Sequence, residues 1–443
     1  MSSCRGHEHG GLAAEGLTMT RVLVMVAGVV LIAASEEAFA QCEYRRHQCM
    51  FTDGFDYWGW DLKVVGDVAM VGAPGSEEVY VLAFDGNEWH QQQVLTDATG
   101  EGNTEFGKTL DIGLDIAVIG SPGDSSTGSA LVYVLEDGVW IERQKITPKG
   151  GLGDCWGSPV AISGDGERIV VGSAWSGNYD GVHVYRHVDE EWVHEALLTP
   201  ADTDLAGDVD ISDDGTRIVM GAVFGGQGSL TGIAYAYEYD GEEWVKKSTL
   251  EPDDLQKGDA FGAGVDFAGD DSALIWGGGK LYVFATDSDG TWMQTDKLVP
   301  DKGVSFGEVG TDGDHMAVTA NGNEESAVFV FAKDGTKWIH QETIEIEMDE
   351  YYAASVSLSG GMVMAGALSE LLIHSFQCTD VPCDGDANGD GIVDPLDTGY
   401  VLARFGCHVG ICDVGCDIAD QNGDGLVDPL DAGFVLARFG ECP

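Results

Sequence analysis

Two segments near the carboxyl end place oxygen-bearing residues at the spacing of a metal-binding loop. Each loop offers side-chain oxygens at positions 1, 3, 5, 9 and 12, a backbone carbonyl at position 7 and glycine at position 6, which suits the hard cation Ca²⁺. The proposed ligands are Asp386, Asn388, Asp390, Ile392, Asp394 and Asp397 in the first loop, and Asp420, Asn422, Asp424, Leu426, Asp428 and Asp431 in the second.

The charge of these loops makes a bound cation necessary for a closed conformation. Each loop gathers four carboxylates and no basic residue. Two such charges about 4 Å apart repel by roughly 4 kcal/mol at an effective dielectric constant near 20. We therefore expect two Ca²⁺ ions, whose binding contributes folding energy to the segment. The alternative is a pair of Asp/Gly-rich turns without metal, and the duplication of the pattern favours calcium.

A short apolar-periodic segment follows each loop, at 399–406 and 433–440, and is predicted to be helical. Tandem loops with a helix after each resemble a dockerin, a module that binds a cohesin partner in secreted polysaccharide-degrading assemblies. The resemblance covers 378–443 and implies that the two helices form the surface for a protein partner. Loop positions 10 and 11 are Pro395-Leu396 and Pro429-Leu430 rather than small hydroxyl residues. A cohesin-like partner and a cell-surface partner therefore both remain open.

The amino terminus predicts export. An apolar run from Val22 to Ala34 follows Arg21 and precedes Ala38-Phe39-Ala40, a small-x-small cleavage site. We expect a signal peptide over 1–40, with translation starting at Met1 or Met19, and no membrane span, because the run is too short. The expected location is secreted or extracellular, and association with the cell surface stays open.

Charge and cysteine usage agree with an exported protein. The formal net charge of −54 repels phosphate backbones, which argues against a nucleic-acid partner. Six of the ten cysteines lie at or beyond Cys378, beside the calcium loops. Disulfide bonds that staple the small module are favoured over a zinc site, for which Cys412 and Cys416 give only a weak signal.

The region before the module is a repeat. Six tryptophans recur every 46 to 52 residues, at Trp89, Trp140, Trp192, Trp244, Trp292 and Trp338. Each unit contains an aromatic-Gly start, two strands that end in a Gly-Ala-Pro-like corner, a third strand, an Asp-Gly turn and the Trp strand. Four strands per unit near this period predict a β-propeller blade. We expect the tryptophans to wedge between blades rather than to bind sugars.

The count of starts predicts seven blades over 41–377. The starts lie at Trp58-Gly59, Phe106-Gly107, Trp156-Gly157, near Gly207, and at Phe261-Gly262, Phe306-Gly307 and Tyr352-Ala353. The amino-terminal strand is expected to complete the last blade and to close the ring. These motifs resemble the FG-GAP repeats of integrin α-subunit propellers, which implies architecture more than function. The predicted fold is mainly β, a seven-bladed β-propeller followed by a small α-helical dockerin-like module.

Catalytic motifs are not evident in the sequence. We find no nucleophile elbow, zinc-protease helix motif or phosphate loop. His183, His187 and His194 are expected to be exposed strand and turn residues rather than ligands or acid–base groups. The acidic stretches 210–215 and 266–271 are interpreted as hairpin turns rather than calcium loops within blades.

The sequence therefore predicts a secreted, non-enzymatic binding or adhesion protein. The loops between the second and third strands of the blades vary in composition and are the expected surface for a glycan or protein ligand. The dockerin-like module is expected to attach the propeller to a partner or surface. One alternative is an accessory component of extracellular polysaccharide breakdown, recruited by a cohesin-like partner. Another is a propeller hydrolase or lyase whose acidic catalytic residues are dispersed.

Overall fold

All regular secondary structure in the described residues consists of strands, some with alternating and some with fully apolar sequence. The computed structural model describes residues 41–51, 57–86, 88–98, 103–124, 127–148, 156–173, 181–199, 207–223, 231–287, 289–300, 304–322, 326–346, 354–360, 362–366 and 370–379. Every regular element among them is a β-strand, so the mainly β prediction is confirmed for this part of the chain. The predicted calcium loops and helices of 378–443 lie outside it, apart from the last two residues of a strand that ends at Thr379.

The strands pair into seven four-stranded sheets, and all pairs among β2 to β28 are antiparallel. The amino-terminal strand is β1 (Gln41–Phe51). The first blade comprises β2 (Leu62–Val65), β3 (Val68–Ala73), β4 (Glu78–Phe84) and β5 (Trp89–Thr96). The second comprises β6 (Leu110–Gly113), β7 (Ile116–Ser121), β8 (Ser129–Glu136) and β9 (Val139–Ile146). The third comprises β10 (Trp156–Ile162), β11 (Arg168–Ser173), β12 (Val182–Val188) and β13 (Glu191–Leu198).

The remaining sheets follow in chain order. The fourth blade comprises β14 (Val209–Ile211), β15 (Arg217–Ala222), β16 (Ile233–Tyr239) and β17 (Trp244–Leu250). The fifth comprises β18 (Gly264–Phe267), β19 (Ser272–Gly277), β20 (Lys280–Thr286) and β21 (Trp292–Leu298). The sixth comprises β22 (Val304–Thr311), β23 (His315–Gly322), β24 (Ser326–Asp334) and β25 (Lys337–Ile346). Last come β26 (Ser355–Ser359), β27 (Met362–Gly366) and β28 (Glu370–Thr379).

The number of blades differs from the sequence prediction. Six blades of four consecutive strands are found among the described residues, against the seven predicted in total. The last aromatic start leads into only three strands, β26 to β28. Their sheet takes its fourth member from the opposite end of the described chain, in the order β1-β28-β27-β26. The fold is thus a β-propeller with six self-contained blades and one composite sheet.

The hydrophobic core is divided into layers that lie between neighbouring blades. The second strand of each blade is apolar on both faces, as in Ile116–Ser121, because each sheet is covered on both sides. Each layer includes one Trp of the fourth strands. Trp140 packs with residues of the first and second blades, and Trp192 with residues of the second and third. The predicted role of the tryptophans as inter-blade wedges is confirmed.

Glycines explain why the aromatic-Gly and Gly-Ala-Pro motifs occur together. Gly107 of the second start has a φ of 84° and faces Gly72 at the corner of the first blade. A Cβ on Gly72 would lie 2.0 Å from the carbonyl oxygen of Gly107. Gly120 meets Gly157 of the following blade in the same way. The two motifs are therefore the two sides of one close backbone contact between consecutive blades.

Candidate functional site: an acidic axial channel

The first strand of each sheet lines a channel along the axis of the propeller. Because strand side chains alternate, every second residue of these strands faces the channel. One cavity of about 470 Å³ lies at one end and a second of about 450 Å³ at the other. The first is in the size range of small-ligand sites. The charged lining of the first cavity includes Asp61, Lys63, Lys108, Asp111, Asp208, Asp210, Asp266 and Glu308.

Two of the channel aspartates join one blade to the next. Asp61 of the first blade accepts a hydrogen bond from the amide of Leu110 in the second blade. It accepts another from the amide of Leu62, its own successor, and both distances are 2.8 Å. Asp111 of the second blade bonds in the same way to Ile162 of the third, with both distances at 2.9 Å. Both oxygens of each carboxylate are therefore used by backbone donors.

The same arrangement recurs between the fourth and fifth blades. Asp208 accepts from the amide of Val265 at 2.9 Å, and Asp210 accepts from the amide of Phe267 at 2.8 Å. Each also accepts from the amide of its own successor. The first strand of a blade has one free edge, whose N–H groups need acceptors when they are withdrawn from solvent. Side chains of the preceding blade supply these acceptors.

Serines take this role where the composite sheet meets the first blade. The hydroxyl of Ser357 accepts from the amide of Val64 at 3.1 Å, and that of Ser359 accepts from the amide of Gly66 at 3.2 Å. Ser355 donates to the carbonyl of Gly59 at 2.8 Å. The composite sheet therefore occupies the same inter-blade relation to the first blade as the other sheets do to theirs.

Four charged residues line both cavities and therefore lie where the two cavities meet. They are Lys63, Asp111, Asp210 and Asp266. The ammonium of Lys63 lies 3.3 Å from Asp111. The charge of Asp111, with smaller contributions from Asp266 and Asp210, holds the pKa of Lys63 above its usual value, although burial opposes this shift. Lys63 is therefore a permanent cation among several acids.

Asp210 and Asp266 form a hydrogen-bonded carboxyl pair where the two cavities meet. Burial, opposed by the charge of Lys63, raises the pKa of both groups. The two carboxyls are joined by a side-chain hydrogen bond, so they titrate as a pair. A carboxyl pair of this kind can donate and accept a proton.

Burial also changes three further acids of the first cavity. It raises the pKa of Asp61 and of Asp208 to about 7, even though the backbone hydrogen bonds oppose the shift. Glu308 lines the first cavity, where its side chain is accessible to water inside the channel. The protein that surrounds it there limits its hydration and raises its pKa to about 8. The channel can therefore hold protons at a pH where ordinary surface carboxylates have lost them.

Most of the site residues proposed from sequence lie elsewhere or cannot be placed. The twelve calcium ligands of 386–431 are outside the described residues. Asp210 and Asp266 lie on strands that face the channel, while Asp214 closes a hairpin turn, where it accepts bonds from Ser212 and Thr216. In the described part of the chain no group of three or more His, Cys, Asp or Glu side chains is arranged to hold a metal ion. The variable loops between second and third strands also fall mainly outside it.

One histidine differs from the prediction. His183 is buried, with 7 % exposure, whereas the sequence predicted an exposed residue. It is buried because β12 is an inner strand of its blade and His183 faces the layer that contains Trp156. His194 is exposed as expected, and His187 stacks on Trp192.

Sequence reasoning wrongly assigned Asp210 and Asp266 to hairpin turns and did not find the other channel acids, although a signal for them existed. Asp111 and Asp266 each stand five residues after a buried aromatic start, Phe106 and Phe261, in otherwise apolar strands. An acid at a fixed place in a strand of this kind is unusual, since buried acids need partners. Comparison of equivalent positions between repeats would have identified both.

Comparisons with known proteins support the architecture. A family model described as FG-GAP repeat matches residues 89–135. No curated protein matches the chain. Among solved structures, the periplasmic gluconolactonase PpgL of Pseudomonas aeruginosa is similar with a TM-score of 0.50 and 16 % identity, over 67 % of this chain and 87 % of that one. A chain of the mitotic checkpoint complex has a TM-score of 0.53 and 11 % identity, over 80 % of this chain and 98 % of the other.

At these identities the likeness concerns the fold alone. The FG-GAP match spans one stretch from the fourth strand of the first blade to the third strand of the second. Within the described residues there is no helix long and apolar enough to cross a membrane.

Proposed function

We propose that this chain is a secreted, non-enzymatic binding or adhesion protein. Its propeller presents a ligand-binding face, and its dockerin-like module, with two Ca²⁺ ions, attaches it to a cohesin-like or cell-surface partner. In this proposal the composite sheet acts as the seventh blade and closes the ring. The architecture supports this role, because a closed ring holds its loops on a rigid scaffold.

The observation that carries the proposal is the hydrogen bonding of the channel aspartates to backbone amides. Asp61, Asp111, Asp208 and Asp210 each have both carboxylate oxygens occupied by backbone amides. A carboxylate held in this way stabilises the contact between blades, and it has little freedom to attack a substrate or to move a proton. The positions of these four aspartates are thus explained by their structural role, which favours binding over catalysis.

The Asp210–Asp266 pair supports a second candidate, a hydrolase or lyase that acts in the channel. Asp266 would serve as a general acid, because burial raises its pKa well above the usual value of an aspartate. Glu308 would supply a second proton-transfer group in the same cavity. In the accessory role in polysaccharide breakdown, a cohesin-like partner would recruit the chain. That role rests on the dockerin resemblance.

The full chain can be tested for both functions with the same two variants. We expect ligands on a glycan or extracellular-protein array to bind wild type, Asp266→Asn and Glu308→Gln equally, because binding uses the loop face. We expect no turnover of glycosides or sugar lactones. Turnover by wild type that either variant abolishes would replace the binding proposal with the enzymatic one.

The attachment role needs a separate measurement. Wild-type protein should retain a partner from the native secretome in Ca²⁺ and release it in a chelator. The Asp390→Ala, Asp424→Ala double variant should retain none in either condition. Equal retention by this variant in Ca²⁺ would contradict a calcium-dependent module.

A further inference from the structure

A hairpin of the third blade places two histidines on one face of a sheet. The turn between β12 and β13 has positive φ at both central residues, 51° for Asp189 and 68° for Glu190, as a two-residue type I′ turn requires. The turn fixes the register in which Tyr185 pairs with His194. His183 lies two residues before Tyr185 and so points to the same face, diagonally across from His194.

The two imidazoles meet at their ring nitrogens. Nδ1 of His183 lies 3.0 Å from Nε2 of His194, and the rings are inclined by 64°. Between two neutral rings this distance accommodates one shared proton. It also matches two imidazoles on one metal ion. With metal–nitrogen bonds of about 2.05 Å, cis ligands at 90° are separated by about 2.9 Å and tetrahedral ligands by about 3.3 Å.

The surroundings hold one histidine in place and leave the other accessible. His183 is buried against the indole of Trp156, with ring centroids 6.0 Å apart, and it stacks on Tyr185. His194 is exposed on the outermost strand of the blade. A ligand held by packing loses little side-chain entropy when a metal binds, and an exposed partner lies where an ion can reach it from solvent. The strongly negative net charge of the chain raises the local concentration of cations.

We propose that His183 and His194 form a two-histidine site for a divalent transition-metal ion, with Cu²⁺ as the preferred ion. The nitrogen spacing is close to that of adjacent ligands in a tetragonal complex, which is the geometry of Cu²⁺ and Ni²⁺. Cu²⁺ also stands at the top of the affinity order for nitrogen ligands among these ions. Solvent completes the coordination, and the ion replaces the proton between the rings. Ca²⁺ does not compete, because it prefers oxygen ligands.

The test uses Cu²⁺ alone as the probe on the full chain. Free thiols are alkylated, Ca²⁺ is kept saturating, and Cu²⁺ is added up to one equivalent. Electron paramagnetic resonance of wild type should show coupling to two imidazole nitrogens. His194→Gln should lose this signature and bind Cu²⁺ at least tenfold more weakly. This substitution changes an exposed residue, so the variant should fold normally, which tryptophan fluorescence can verify.

The matched control is His187→Gln, which lies on β12 with His183 but stacks on Trp192 rather than pairing with His194. It should bind Cu²⁺ as tightly as wild type and show the same spectrum. Either of two results would overturn the proposal. One is the absence of a two-nitrogen Cu²⁺ signal in wild type, and the other is an unchanged signal and affinity in His194→Gln.

Discussion

Single residues in this propeller combine two demands that usually conflict. The channel aspartates satisfy backbone amides at the free edges of the first strands, yet they lie together in a confined space where their charges repel. Lys63 offsets part of that repulsion. Burial, with a smaller contribution from neighbouring acids, raises the pKa of Asp61, Asp208 and Glu308, so that these groups can become neutral by binding protons.

The first prediction concerns pH. A carboxyl whose pKa is raised on folding binds more protons in the folded state than in the unfolded state. Stability then falls as pH rises through the interval between the unfolded and folded pKa values. For Asp61 and Asp208 this interval extends from about 4 to about 7. We expect the urea midpoint of the propeller to be higher at pH 5 than at pH 8.

The variant Asp61→Asn, which resembles the protonated acid, should show a smaller loss between pH 5 and pH 8. The exposed Asp115 supplies the control, and Asp115→Asn should behave as wild type. Tryptophan emission is a suitable measure, because all eleven tryptophans lie between residues 58 and 338. A midpoint that rises between pH 5 and pH 8 would be incompatible with the raised pKa values.

Strands and turns are joined across blades by two repeated devices, one at the corner glycines and one at the outer strands. At the outer strands Gln93 bonds both the amide and the carbonyl of Trp140, at 2.9 and 2.8 Å. Gln144 makes the same two bonds to Trp192, at 2.8 and 3.0 Å. The side chain four residues after one Trp therefore fixes the position of the next.

The second prediction tests the glycine contact. A Cβ at Gly120 would lie 2.0 Å from the carbonyl oxygen of Gly157 and 2.5 Å from Thr109 Oγ1. Gly120→Ala should therefore push two blades apart and lower the free energy of unfolding by about 3 kcal/mol. Gly138→Asn is the control, since this turn glycine has φ 79° and open space around it, and asparagine tolerates that conformation. Chemical denaturation measures both, and equal stability of the two variants would rule out the contact.

The third prediction tests the glutamine. Gln144→Ala removes two hydrogen bonds to Trp192 and should lower the free energy of unfolding by about 1–3 kcal/mol. Gln294→Ala, at an exposed position of β21, should change it by less than about 0.5 kcal/mol. Thermal unfolding followed by tryptophan emission compares the two. A loss for Gln294→Ala as large as that for Gln144→Ala would show that the bonds to Trp192 contribute nothing particular.

At the scale of the whole molecule, the composite sheet borders the first blade. Met364, Leu371 and Ile373 of that sheet pack in one hydrophobic layer with Trp58 and Trp89 of the first blade. Strands from both ends of the described chain meet in this sheet, because β1 pairs with β28. A pairing of this kind covers a sheet edge that would otherwise be a site of aggregation.

The fourth prediction concerns the calcium module. Removal of Ca²⁺ should abolish a thermal transition of 378–443. The transition followed by tryptophan emission should remain, because 378–443 contains no tryptophan and the emission therefore reports on the propeller. Calorimetric titration should give two Ca²⁺ per chain, and Asp390→Ala should give one. A stoichiometry of two in Asp390→Ala would show that the ligand assignment is wrong.

The sequence by itself determined the features that depend on local pattern. The period near 50, the alternating strands, the buried aromatic starts and the wedge role of the tryptophans all follow from residues within one unit or its neighbour. These predictions succeeded because each blade repeats the same hydrophobic pattern and the same turns. The calcium ligands of 386–431 are also a local pattern, and they stay a prediction.

Only the tertiary structure decided which polar residues meet. Asp61, Asp210 and Asp266 come from three blades, and they share one channel because the sheets are arranged around a common axis. His183 and His194 come together because the turn between them fixes the strand register. Neither relation can be derived from spacing along the chain, since both depend on which backbone groups pair and on how the sheets pack.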